Sequence, residues 1–219
     1  MNCSKPPGWS RAMAGGVLEN GFYDVPPGRL ATVVTHLEMR APAPLRPCVA
    51  PDGVTLVRVG TPDVAWYRDI YNRVGAQDWL WFSRTKLSDD ALTSMIGGSQ
   101  VSVFALMRDG QAEGLMELDF RQPGACELAL FGVTKPLIGT TASRFAMNEA
   151  IALAWAPPIQ RFHVHTCTMD HPAALPFYIR SGFTPCRQQI EIDDDPRVTG
   201  SFPRDAGPHV PIFDCDEGP

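Results

Sequence analysis

The chain has 219 residues, 44% of them hydrophobic and 20% charged, with a net charge of −5. One domain with a full core fits that length, since two would both be small. The acidic balance excludes the basic footprint of a general nucleic-acid binder and of a protein drawn to an anionic membrane surface.

Residues 1–51 read as an N-terminal extension that opens with Gly/Pro-rich stretches (KPPGW, AGG, DVPPG). Within it, RLATVVTHLEM (Arg29–Met39) is β-branched and partly alternating, which predicts an additional strand. The proline-rich APAPLRP that follows reads as a linker. VTLVRV (Val54–Val59) then predicts the first strand of a main domain spanning 52–192, with 193–219 as a tail. Pro62 and Asp63 suit the first turn of a helix whose apolar stripe is Trp66, Ile70 and Val74. An aromatic cluster of Trp79, Leu80, Trp81 and Phe82 comes next, and a short helix is expected from Ser88, with Asp89 and Asp90 facing its N-terminal dipole.

VSVFALM and GLMELDF flank an Asp109-Gly110 turn, the pattern of a tight hairpin. A turn at Gln122-Pro123-Gly124 leads into a third antiparallel strand, Glu127 to Val133. A helix follows with Met147, Ile151, Ala154 and Trp155 on one stripe; Pro157-Pro158 ends it, and Arg161 to Thr168 resumes as a strand. A strand–helix–strand crossover makes that last pair parallel. Asp170 is the expected N-cap of a short helix with Pro172 in its first turn and Gly182 at C′. Asp193, Asp194 and Asp195 read as a solvated turn opening a mobile tail in which HVPIF is able to dock. The whole reads as an α/β fold with a mixed, mostly antiparallel sheet flanked by helices.

Six scattered cysteines with no C-x-x-C pair suggest reduced thiols in a cytoplasmic protein. The N-terminus has no basic segment followed by an apolar core, and no apolar run reaches the roughly eighteen residues of a membrane helix. The expectation is a soluble, non-secreted protein.

A crossover helix that begins at the end of a buried strand presents unpaired N–H groups and a positive dipole, a site for pyrophosphate. Lys135, Arg144 and Arg180 are the candidates to neutralise it. At this point the residues resemble the GNAT superfamily of N-acetyltransferases, over about Val54 to Ile192 and most specifically Glu127 to Phe183. The family's pyrophosphate loop reads Q/R-x-x-G-x-G/A. The matching stretch is Ile138-Gly139-Thr140-Thr141-Ala142-Ser143, in which Ile138, Thr141 and Ser143 depart from the pattern. Thr141 obstructs a close backbone approach, and the hydroxyls of Thr140, Thr141 and Ser143 are expected to donate to phosphate oxygens in compensation. The family's N-x-x-A-x-x-[LF]-Y-x-x-x-G-F is matched by His171 to Tyr178 running on to Gly182-Phe183, with His171 in the Asn position.

The resemblance implies acetyl transfer from acetyl-CoA to an amine of a small molecule or a peptide, with no metal and with a homodimer as an option. Phe131, Gly132 and Val133 match the strand that holds the pantetheine arm and carries a bulge. Together with Ile138 to Arg144 and His171, they form the expected coenzyme-binding set. Tyr178 matches the general acid that protonates the CoA thiolate. Glu127 takes the position of the base in histone-acetylating branches, with Glu117 the runner-up. Trp79, Trp81, Phe82 and Glu117 are the expected acceptor-binding residues.

Each of these residues has a plainer reading. Tyr178 is also readable as a packing residue, Glu127 as a solvated strand end, and the three aromatics as core. His163 and His165 face one way as polar wall residues or, with Asp170 or His171, as metal ligands. A non-catalytic module that senses acyl-CoA or binds a protein partner is the alternative to an enzyme.

Overall fold

Seven strands pair into one sheet in the order β2-β3-β4-β5-β6-β1-β7. The computed structural model describes residues 18–214, so Cys3 and Cys215 lie outside the described residues. The elements in chain order are β1 (Arg29–Met39), β2 (Val54–Val59), α1 (Val64–Arg73), α2 (Asp89–Ile96), β3 (Val101–Arg108), β4 (Gln111–Asp119) and β5 (Ala125–Val133). They continue through a single 3-10 turn (Lys135–Leu137), α3 (Ala142–Ala154), β6 (Arg161–Cys167), α4 (Ala174–Arg180) and β7 (Thr184–Asp194).

The sheet follows from short-range chemistry. Asp109 and Gly110 both adopt positive φ, 51° and 79°, the geometry that a two-residue hairpin with the right strand twist requires. The antiparallel run β2-β3-β4-β5 then gives way to the parallel pairing of β5 and β6. Two layers cover the faces. Tyr67, Ile70, Tyr71 and Val74 of α1 and its C-cap pack with Leu92 and Ile96 of α2 on one side. Met147, Ala150, Ile151 and Ala154 of α3 pack with Phe162, Tyr178 and Phe183 on the other. The buried stripe of α1 thus runs through tyrosines, and Trp66 is only partly buried against it. Trp155 stands just past the end of α3 as its C-cap.

The expected strand Arg29–Met39 is present, and two other expectations are corrected. The strand Arg29–Met39 lies inside the sheet, antiparallel to both β6 and β7, so the segment before Pro51 supplies an interior strand through which β7 joins the sheet. The short helix begins at Ala174 with no side-chain cap, because both Asp170 oxygens are taken elsewhere: Oδ1 accepts from Trp81, and Oδ2 from the Thr166 hydroxyl and the Cys167 N–H. The run of aspartates is no solvated turn. Asp193 and Asp194 end β7, and Asp195 forms a bidentate, almost fully buried ion pair with Arg197 (side chains 2% and 1% exposed). The other Arg197 nitrogen, Nη1, donates to the carbonyls of Ala206, Gly207 and Val210. Phe202 and Ala206 join the α1-side core, and His209 of the HVPIF segment bonds the Met169 carbonyl at 2.9 Å. The tail up to residue 214 is packed structure.

Candidate active site

β5 and β6 pair over only three positions, from Ala125↔Arg161 to Glu127↔His163. Beyond Glu127 the strands splay, β5 stays paired with β4 alone, and the gap opens into two adjoining cavities. The first, of about 370 Å³, runs along the end of β5 to the start of α3; the second, of about 180 Å³, lies beside the aromatic loop. Trp79, Trp81, Phe131, Asp170 and Tyr178 line both.

The first cavity gathers cationic side chains. Ile138, Gly139, Thr140, Ser143 and Arg144 form its wall at the start of α3, where helix N–H groups have no intrahelical acceptor. Gly139 has φ 80° and open space where a Cβ would stand, so its backbone conformation is what glycine supplies. Lys135, Arg144 and Arg180 line the cavity together with Arg46 and Arg73. Arg73 and Lys135 already carry carboxylate partners, Asp69 and Asp78. Two residues of the expected coenzyme-binding loop turn their side chains away from the cavity. Ala142 is fully buried in the core beside Leu137 and Ala146, and Thr141 turns away to donate its hydroxyl to the Val49 carbonyl at 3.1 Å. The Thr140 hydroxyl donates to Leu137 O at 2.7 Å. Both hydroxyl protons are thus held by backbone carbonyls in this structure.

Phe131, Gly132 and Val133 all line the first cavity. The bulge, however, sits earlier on β5: Glu117 faces Leu130 and Leu118 faces Leu128, which leaves Ala129 as the extra residue. Gly132 is small for another reason, since a Cβ there would stand 3.1 Å from Val74 Cβ and 3.3 Å from the Trp81 ring. His171 lines the same cavity and accepts the Ala173 N–H at Nδ1, 3.0 Å away.

Tyr178 is buried between the two cavities, its ring edge-on to Phe177 and Phe183. Burial first, and then the Asp170 carboxylate, hold its phenol above the ordinary value, so it stays protonated at neutral pH. Trp79, Trp81 and Phe82 come together on the second cavity. Trp81 is fixed there by its indole N–H on Asp170, and Trp79 packs against His171 and His209 with ring centroids 5.0 and 5.3 Å away.

The two glutamates stand elsewhere. Glu117 is 1% exposed, and its oxygens are taken by the Tyr67 hydroxyl and by Arg84 Nη2 at 2.9 Å. Burial raises its carboxyl above the ordinary value, and it lines neither cavity. Glu127 lines neither cavity as well; its Oε1 meets His165 Nδ1 at 3.1 Å. That contact holds the Glu127 carboxyl below the usual carboxylate range and the His165 ring above the usual imidazole value. His165 does line the second cavity. His163 sits beside it with Nε2 buried and unpaired, and burial lowers its basicity. Among the described residues, no group of three His, Cys, Asp or Glu side chains is placed to hold a metal ion. No described helix is long and apolar enough to cross a membrane.

Several solved structures with this architecture are named as GCN5-related or putative acetyltransferases. The chain matches a GCN5-related N-acetyltransferase from Sphaerobacter thermophilus with TM-score 0.53 at 14% identity, over 78% of this chain and 53% of that one. The fold is that of the GCN5-related N-acetyltransferases. A second GCN5-related N-acetyltransferase, from Kribbella flavida, matches with TM-score 0.50 at 16% identity, over 79% and 63% of the two chains. A functionally unknown conserved protein from Staphylococcus epidermidis gives TM-score 0.51 at 14% identity, over 77% and 63%. The chain therefore spans between half and two-thirds of the length of these structures. No family model and no curated protein matches it.

Sequence reasoning missed Asp170 as a tether and Arg46 and Arg73 as cations, whereas His165 was expected as a polar wall residue and lines the second cavity. For Arg46 and Arg73 the signal, a positive charge, was present without a way to place it. For Asp170 the helix-cap pattern pointed to the wrong partner.

Proposed function

We propose that this chain is a cytoplasmic N-acetyltransferase that moves an acetyl group from acetyl-CoA to the amine of a small molecule. The observation that carries it is the pair of cavities meeting at Tyr178 in the splay of β5 and β6. The residues of the first cavity suit the coenzyme. Its cations and the α3 amide groups suit a diphosphate, and the apolar rim of Phe131, Val133 and Phe177 suits a pantetheine arm. The cytoplasmic reading rests on the four described cysteines, all free thiols.

The thioester supplies an acyl group activated for transfer. Trp81 and Trp79 hold the acceptor beside it, and neutral His165 takes the proton that leaves the amine nitrogen as it attacks the carbonyl carbon. Glu127 acts through His165, fixing the ring by its Nδ1 and stabilising the imidazolium. His165 is also approached by Asp170 from the β6 turn and Glu191 from β7, both favouring its charged form. When the carbon–sulfur bond breaks, the Tyr178 hydroxyl, which burial keeps protonated at neutral pH, gives its proton to the thiolate.

A second reading, an acyl-CoA-binding module without turnover, draws on the inward-turned hydroxyls of Thr140 and Thr141, which leave the loop with fewer phosphate donors. A thiol-release assay with acetyl-CoA and a broad amine panel separates the two. Turnover with any amine supports the enzyme, and acetyl-CoA binding with none supports the module.

A further inference from the structure

The second cavity is narrower in its chemistry than amine transfer alone requires. Its volume is about 180 Å³, and a cavity of about 150 Å³ lined by aliphatic and aromatic side chains holds one benzene ring. It therefore has room for a ring and a short arm. Leu128, Leu130, Val164, Met169, Trp81 and Phe82 make the walls apolar.

Charge within it is sparse. Asp170 has both oxygens committed to protein donors. Glu191, on β7, is the one lining carboxylate with no hydrogen bond or ion pair among the described residues. Lys86, fixed by Asp193 at 2.7 Å, sits 4.2 Å from the Phe82 ring centroid and sets a positive charge against that wall. A polycation would need several free carboxylates here and would meet that lysine.

We propose that the acceptor is a monoamine with one flat apolar body, in chemical class an arylalkyl amine, whose ammonium is met by Glu191 while its ring lies among Leu128, Leu130 and Trp81. This rests on the transfer reading of the site. Ring burial supplies affinity, and the single carboxylate orients the ammonium, which loses its first proton to solvent; the neutral amine then attacks and His165 takes the second.

The test gives the full chain acetyl-CoA with 2-phenylethylamine, n-butylamine, spermidine, kanamycin or a lysine-containing peptide, and measures thiol release. The kcat/KM for 2-phenylethylamine is expected to exceed each of the others by about tenfold, the effect of burying one ring. Glu191→Gln, on an exposed strand, is expected to raise the KM for 2-phenylethylamine by about tenfold, the loss of one charge-assisted hydrogen bond, without moving the KM for acetyl-CoA. Preference for any of the other four amines overturns the inference and leaves the transferase reading standing. An unchanged KM in Glu191→Gln overturns the role of Glu191, and consumption of none of the five overturns both the inference and the transferase reading.

Discussion

The indole N–H of Trp81 donates to Asp170 Oδ1 at 2.6 Å, and that bond ties the aromatic loop to the turn that ends β6. The same carboxylate holds the Thr166 hydroxyl and the Cys167 amide. One side chain therefore holds the aromatic loop against the end of β6.

Asp170→Asn keeps the size of the side chain but turns an amino group toward donors that need an acceptor. The variant is expected to lose about 2 kcal/mol of stability, the cost of leaving a buried donor unpaired, and to show a raised amine KM. Urea unfolding and steady-state kinetics check both.

Tyr178→Phe removes only the hydroxyl from a ring already packed on Phe177 and Phe183. Turnover is expected to fall about a hundredfold, the low end for loss of a general acid, while acetyl-CoA affinity by calorimetry stays unchanged. Wild-type turnover would remove Tyr178 from the acid role.

Much of the fold was legible because its signals were local. Asp109-Gly110 gave the hairpin and Ser88 the cap of α2, and the bounds of β1 and β2 were read correctly from β-branched alternation alone. The place of β1 was not legible, since pairing with β6 and β7 spans more than 120 residues of chain and leaves no mark in either segment. The site divides the same way. The α3 start and Tyr178 could be found from motif spacing, whereas the inward turn of Thr141 toward Val49 and the contact of Glu127 with His165 are made across the sheet.

The Glu127–His165 pair makes activity depend on pH. Neutral His165 is the active form, so kcat/KM for the amine is expected to rise with pH through a pKa above the ordinary 6.5. Glu127→Gln removes the charge that raises it, and the acidic limb should move to lower pH. The pair also stabilises the fold. Glu127 is depressed from 4.5, so its contribution is lost as pH falls below that value; His165 is raised from 6.5, so its contribution is lost as pH rises through the folded value. It is fully present between 4.5 and 6.5. A pH–rate profile of both forms is the check, and identical limbs would contradict the dyad.

Arg197→Met leaves Asp195 charged and buried and strips the tail carbonyls of their donor. A loss of about 3–5 kcal/mol is expected, the cost of breaking a buried pair from one side. Thermal unfolding reads it directly, and a shift within that of surface variants would show that the tail packs independently of this ion pair.

The central claim is that the start of α3, with Arg144 beside it, grips the diphosphate of an acyl-CoA and so aims a thioester at Tyr178. Calorimetry of the full chain with acetyl-CoA tests it most directly. One molecule bound per chain, about tenfold more weakly in Arg144→Gln for the loss of a charge-assisted contact, is the predicted result. No heat at millimolar acetyl-CoA, or binding that Arg144→Gln leaves untouched, would contradict it.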